Sequence, residues 1–143
     1  MDIKINVDES VDDLQLKGLK LIQKQQGFRF GVDAVLLSHF ANIKNKHRVI
    51  DLCTGTGIVP FLAYGKYSPK EVIGIEIQED MVEMANRSSL LNDTTDIVKF
   101  VHGDLKDKAL LDSLGKFDVL TVNPPYKLNN AGIVNPDDKL AIA

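Results

Sequence analysis

The stretch Val49-Ile50-Asp51-Leu52-Cys53-Thr54-Gly55-Thr56-Gly57-Ile58-Val59-Pro60 constrains the fold more than any other part of the chain. A short apolar run ends in an acid and a Gly-x-Gly turn. A helical pattern follows, with Pro60 in its first turn, where a missing N–H costs little. That is the strand–turn–helix opening of a nucleotide-binding α/β sheet, in which glycines turn the backbone tightly and leave room for a ligand against it. A lone Gly-x-Gly also occurs in ordinary strand-to-helix turns. Two features downstream add weight. Ile73-Gly74-Ile75-Glu76 places an acid at a second strand's end, at about the ~20-residue offset of a ribose-binding carboxylate. Val119-Leu120-Thr121-Val122 then runs into Asn123-Pro124-Pro125-Tyr126.

Around this nucleus the pattern alternates strands and helices, which predicts a parallel sheet with right-handed crossovers and helices on both faces. Residues 1–13 are polar and acidic and are expected to fray or to lie on the surface. Segments 19–23 and 28–30 flank Lys24-Gln25-Gln26-Gly27 and predict a small hairpin. Asp33 is a good N-cap for a helix carrying Ala34, Val35, Leu36, Leu37, Phe40 and Ala41. After the glycines a short helix over 60–66 is closed by Gly65 and the turn Ser68-Pro69-Lys70. The strand at 71–76 is too uniformly apolar to have a wet face. Met81, Met84, Ala85, Ser88 and Leu91 share the core face of a helix over 78–91. A third strand at 97–102 ends at Gly103-Asp104, a helix over 105–114 stops at Gly115, and a fourth strand spans 117–122.

After Tyr126 the sequence is loop-like, and it stops at Ala143 just as a helix begins. We therefore expect three parts: an acidic extension (1–13), a hairpin and helix (14–47), and a sheet core (48–143) that is the front part of a larger domain. A fourth strand without a further neighbour is an apolar edge, and self-association through it is expected.

The 143 residues suffice for one domain. No apolar run approaches the ~20 residues of a membrane span, and the N-terminus lacks the apolar core of a signal peptide. A single cysteine cannot form an internal disulfide, which suits the cytoplasm. The net charge of −3 is unevenly spread, with Lys17, Lys20, Lys24, Arg29, Lys44, Lys46 and Arg48 set against only Asp33 in 14–48. Such a segment either attracts phosphates or forms a solvated face of mixed charge.

Ligands of open α/β sheets bind beyond the carboxyl ends of the strands. Asp51 and the glycines, Glu76, Asp104 and Asn123 end four consecutive strands, and together they form the candidate site. With these residues the chain resembles the class I S-adenosylmethionine-dependent methyltransferases. Asp51 to Gly57 is similar to their first cofactor motif, and Asn123-Pro124-Pro125-Tyr126 to the catalytic motif of amino-methyltransferases. Gly27-Phe28-Arg29-Phe30-Gly31-Val32-Asp33-Ala34-Val35-Leu36-Leu37 resembles the N-terminal cofactor motif of bacterial tRNA adenine-N6 methyltransferases, as do Glu76-Ile77-Gln78 and Gly103-Asp104. Cys53 departs from that family, which usually has glycine there, and a thiol fits only if the backbone does not need φ > 0.

The resemblance implies a Rossmann-like class I methyltransferase fold whose last strands lie outside this chain. It implies a tRNA substrate, S-adenosylmethionine as cofactor (leaving S-adenosylhomocysteine), and no metal. Cofactor contacts would come from Gly31, Asp51, Thr54, Gly55, Thr56, Gly57, Glu76, Ile77, Asp104 and Asn123, with Glu76 on the ribose hydroxyls and Asp104 on the adenine amino group. Asn123, Pro124, Pro125 and Tyr126 would be catalytic: two acceptors for the target amino group, a restricted backbone, and a ring to stack on the base.

Three other readings compete. A dinucleotide-dependent oxidoreductase is opposed by Pro60, which stands where the third glycine of Gly-x-Gly-x-x-Gly belongs. The same motif could serve a DNA adenine or a protein glutamine. The chain could also be a cofactor-binding fragment without turnover. His39, His47 and His102 lack metal-ligand spacing, and Cys53 reads as packed.

Overall fold

Strands that are apolar on both faces need cover on both sides, and among the described residues four helices supply it. The computed structural model describes residues 2–26 and 31–124. In chain order the elements are β1 (Glu9–Asp13), β2 (Lys20–Lys24), α1 (Val32–Phe40), β3 (Arg48–Leu52) and α2 (Ile58–Tyr67). There follow β4 (Glu71–Glu76), α3 (Glu79–Leu91), β5 (Val98–His102), α4 (Lys108–Ser113) and β6 (Val119–Val122). The last four described strands in chain order, β3 to β6, make one parallel sheet in the order β5-β4-β3-β6.

The period-2 alternation sorts the side chains. On one face Phe61 and Leu62 of α2, Val82 and Ala85 of α3, and Ala34 of α1 pack with Val98 and Phe100. On the other, Ile50, Ile73 and Ile75 meet Leu105, Leu111, Leu114 and Phe117 around α4. Completely buried Phe61 lies 5.6 Å, ring to ring, from Phe100. Burying one such side chain contributes about 1.5–3 kcal/mol. At the β6 end Leu120 and Val122 remain 59% and 40% exposed, the apolar strand expected from the sequence. Among the described residues no helix is long and apolar enough to cross a membrane.

Several expectations at the N-terminal side are overturned. Residues 1–13 do not simply fray: β1 pairs antiparallel with β2 from Glu9↔Lys24 to Asp13↔Lys20. The hairpin is therefore formed by β2 with the chain before it, and Gly27 and the expected second strand at 28–30 lie outside the described residues. Its outer edge is docked on α3 by side chains standing in for a strand. Ile22 N–H donates to Ser88 Oγ at 2.9 Å, and Asn92 exchanges two 2.8 Å hydrogen bonds with the Lys20 backbone. Glu9 is buried and accepts both Arg87 guanidinium nitrogens, at 2.8 and 2.7 Å. These hydrogen bonds from Arg87 hold its carboxyl down at about 2.

Asp33 is not the cap of α1. Gly31 holds that place without a side-chain bond, and Asp33 lies in the first turn, where it still faces the helix dipole favourably. Gly65 does not close α2 but sits inside it, where a Cβ would fall 2.6 Å from a Leu16 methyl; Ser68, at φ 49°, ends the helix. Met84 is in the core as expected, Met81 is only half-buried, and Leu91 is exposed.

Three of the seven basic residues in the segment 14–48 form ion pairs among the described residues. Lys20 bridges Asp13, Lys24 bridges Asp8, and Arg48 bridges Glu71 while its guanidinium covers the Phe117 ring at 4.4 Å. Lys44 and Lys46 precede β3, at the amino end of the sheet, away from the strand ends that carry the candidate site.

Candidate active site

The register brings the expected residues into one row. Leu52 pairs with Ile75 of β4 and Val122 of β6, and Glu76 pairs with His102 of β5. The carboxyl ends therefore present, in order, Gly103-Asp104, Glu76-Ile77, the turn from Cys53 to Gly57, and Asn123-Pro124. Gly31 is not at a strand end but starts α1, which packs on α2.

The glycine turn is held from two sides. Glu76 is 7% exposed; its Oε1 accepts the Gly55 N–H at 2.9 Å and its Oε2 the Gln78 N–H at 3.0 Å. A carboxylate has about four acceptor positions, so each oxygen keeps capacity for a ligand hydroxyl. From the other side Asp51, wholly buried, accepts Thr54 Oγ1–H at 2.7 Å and Thr121 Oγ1–H at 2.6 Å. The Thr54 N–H donates to the Ile75 carbonyl, and the Gly57 N–H to the Thr54 carbonyl.

The two glycines differ in purpose. Gly55, at φ 59°, has open space where a Cβ would stand, so it suits a ligand lying against the turn. Gly57, at φ 93°, caps α2, and its missing Cβ would lie 2.6 Å from the Phe100 ring. It serves close packing beneath the turn. Thr54 and Thr56 are both buried.

Cys53 answers the question its sequence raised: its φ is 56°, in the left-handed region. That conformation costs a non-glycine residue roughly 1–2 kcal/mol. Cys53→Gly is expected to raise stability by about 0.5–1 kcal/mol, after the greater freedom of the unfolded glycine is discounted. A lowered thermal midpoint would count against strain at this position. Burial and the Glu76 and Asp51 charges push the thiol up to about 11, so it is unreactive as a nucleophile near neutral pH.

Burial also pushes the Asp51 carboxyl up to about 7, against the two threonine hydrogen bonds and with help from the Glu76 charge. Between its unfolded value near 3.8 and about 7, the folded chain holds a proton that the unfolded chain has released. This contribution to stability is full below pH 4 and is lost as pH rises through 7. The loss is expected to approach ~4 kcal/mol, and Asp51→Asn should flatten it. Urea midpoints measured from pH 4 to 8 would check this, and identical slopes in the two proteins would refute it.

On the β5 side Asp104 is half-buried and its Oδ1 accepts the Lys106 N–H at 2.9 Å. The Ile77 side chain is 40% exposed, an apolar surface beside Glu76, and its carbonyl lies 2.9 Å from His102 Nε2. Asn123 and Pro124 are half-buried just past β6. Pro125 and Tyr126 lie outside the described residues. No local pattern in the sequence singles out Thr121, whose hydroxyl shows its part only through its bond to Asp51.

Residues 43–141 match the family model described as a methyltransferase domain. A protein from Methanocaldococcus jannaschii, provisionally named a protein N5-glutamine methyltransferase, is 30% identical over 79% of this chain and 54% of its own length. The tRNA1(Val) (adenine(37)-N6)-methyltransferase of Bacteroides thetaiotaomicron is 28% identical over 90% of this chain and 53% of its own length. The chain thus spans about half the length of these curated relatives. Among solved structures, a dimethyladenosine transferase from Plasmodium falciparum superposes with a TM-score of 0.56 at 25% identity, over 73% of this chain and 35% of that one.

Proposed function

The chain belongs to the methyltransferase domain family, and from that premise we propose that it serves methyl transfer from S-adenosylmethionine to the exocyclic amino nitrogen of an adenine in tRNA. The observation that carries this reading is the adjacency of Asn123-Pro124, ending β6, to the glycine turn that ends β3, fixed by the Leu52↔Val122 register. The methyl acceptor and the cofactor must stand side by side for transfer, and the two motifs assigned to them follow neighbouring strands.

The residues present fit the cofactor. Glu76 keeps free acceptor positions for ribose hydroxyls, Gly55 offers a backbone without a side chain in the way, and Asp104 provides an acceptor for the adenine amino group. The sulfonium of the bound cofactor supplies an electrophilic methyl group.

The chain's own part is to prepare the nucleophile. An exocyclic amino nitrogen is weak because its lone pair is delocalised into the ring. The Asn123 side-chain oxygen and the Pro124 carbonyl accept its two N–H bonds, favour a tetrahedral nitrogen, and stabilise positive charge as it develops. Pro124 and Pro125 restrict the backbone that aims these acceptors. Tyr126 stacks on a base that has left its own stack. The same chemistry suits a glutamine amide. The tRNA reading is favoured because similarity to the tRNA-directed relative extends over 90% of the chain, against 79% for the glutamine-directed one.

Calorimetric titration with S-adenosylmethionine tests the cofactor half. Saturable binding is expected, absent for NAD and weakened about 10- to 100-fold by Glu76→Ala, as loss of a charged hydrogen-bond acceptor predicts. Thermal unfolding of the variant separates lost contact from lost fold. Binding unaffected by the substitution would overturn the assignment of Glu76. Labelled-methyl transfer offered to tRNA, DNA and protein then separates the acceptors, and labelling of protein alone would replace the tRNA reading.

A further inference from the structure

Among the described residues Asp51 is the most deeply buried acid of the strand ends, 1% exposed beneath the turn. It nevertheless ties two parts of the site together. Its Oδ2 takes the Thr54 hydroxyl from the glycine turn, and its Oδ1 takes the Thr121 hydroxyl from β6, two residues before Asn123. Thr121 is 2% exposed and Thr54 4%, so neither hydroxyl has water as an alternative partner. A buried carboxyl that receives two such bonds is rigid, and removing one donor leaves an acceptor unsatisfied.

We propose that Thr121 is a positioning residue for the cofactor turn: it acts through Asp51, latching β6 to the turn after β3 so that the catalytic strand and the cofactor-binding backbone move as one unit. This rests on the methyltransferase reading for its purpose, though not for its geometry. The groups around the latch are few. Among the described residues, Glu76 on β4 is the charged group that acts on Asp51, with the Cys53 thiol next along β3; Thr121 is the contribution from β6. Glu76 grips the same turn at Gly55 from the opposite side. The turn is therefore held by a strand on each flank, and Thr121 is the half of that grip which sequence motifs do not mark.

When ionised, Asp51 accepts both hydroxyls at once. Once protonated, it must give up one of them or turn a hydroxyl around, and the turn loosens. Cofactor affinity should therefore be higher above the Asp51 titration than below it. Thr121→Val, which keeps the shape but removes the donor, makes ionisation harder and moves that titration upward.

The test uses this chain with Thr121→Val, Thr121→Ser and Asp51→Asn, alone and combined. Carbon-13 NMR of labelled aspartate follows the Asp51 carboxyl without any cofactor, and calorimetry with S-adenosylmethionine follows affinity from pH 5.5 to 8.5. The valine variant is expected to raise the carboxyl midpoint and to weaken binding about fivefold at pH 8. The serine variant should restore both. In the Asp51→Asn background, Thr121→Val should change affinity less than about twofold, because the group it acts through is gone. An unchanged carboxyl midpoint, or equal losses with and without Asp51, would make Thr121 a packing residue and overturn the proposal. If the unaltered chain binds no S-adenosylmethionine, the functional reading falls, while the carboxyl titration still decides whether the latch exists.

Discussion

Arg87→Ala is expected to destabilise the fold by about 3–5 kcal/mol at neutral pH, the cost of leaving a buried carboxylate without its partner. Glu9 is only 5% exposed, and both its oxygens are held by Arg87 in a fork-to-fork pair. The same guanidinium reaches the Lys4 carbonyl at 2.8 Å and Glu83 at 2.6 Å, so one side chain fixes the hairpin, the chain before it, and α3. Lys24, 4.0 Å from the Glu9 carboxylate, is too distant to replace it. The pH dependence follows from the direction of the shift. Glu9 titrates at about 2 in the fold against an ordinary value of 4.5, so its contribution is present above pH 4.5 and is lost as pH falls through 2. The difference between wild type and variant should therefore shrink on acidification. Urea unfolding at pH 7 and pH 3 measures it, and Arg87→Lys, a point charge without the fork, should recover only part of the loss. A variant within 1 kcal/mol of wild type at pH 7 would show that the pair is replaceable by water.

This pair also shows why β1 of the hairpin leaves no mark in the local sequence pattern. The sequence Glu-Ser-Val-Asp-Asp carries one apolar residue and three acids, which by local pattern is a surface coil. Its partners are remote: Glu9 meets a residue 78 positions on, and Ile22 one 66 positions on. Such contacts leave no periodic trace. By contrast β4, β5 and β6 lie within the stretches expected of them and β3 begins one residue before its own; β3 and β4 are the clearest, because strands buried on both faces read as near-continuous apolar runs. Helix ends were less legible. Asp33 and Gly65 have the residue types of a cap and a stop, but the first falls inside the first turn and the second is a point of close packing against Leu16.

The candidate site divides along the same line. Its acids and glycines were legible because strand-end positions and the Gly-x-Gly turn follow from local pattern. What joins them was not. Nothing in the sequence says that Glu76 spans 21 positions to the Gly55 N–H, or that Thr121 spans 70 to Asp51. The left-handed backbone at Cys53 could be posed only as a question, and it is answered by the turn geometry. Residue types announced the site, whereas hydrogen bonds between neighbouring strands make it stiff.

Asn123→Ala is expected to lower methyl transfer by about 10²–10³-fold or more while leaving S-adenosylmethionine affinity within about threefold. The asymmetry is the substance of the prediction. Cofactor binding is assigned to Glu76, Asp104 and the Gly55 backbone, which belong to β4, β5 and the turn after β3, whereas Asn123 lies past β6. An acceptor that acts on the target amino group gains most when that nitrogen carries developing charge, so its loss should fall on kcat more than on KM. Asn123→Asp separates two versions of the role. A carboxylate keeps an acceptor oxygen but adds charge in a half-buried position beside the glycine turn, so it should retain more transfer than alanine and less than the wild type. Transfer is to be measured at the chain length that turns over, with cofactor affinity and thermal unfolding measured in parallel. If alanine keeps more than a tenth of the wild-type rate, the amino group is not activated by Asn123. If it loses cofactor affinity and transfer in equal proportion, Asn123 belongs to the cofactor site alone, and the β6 end must find its nucleophile's acceptors elsewhere.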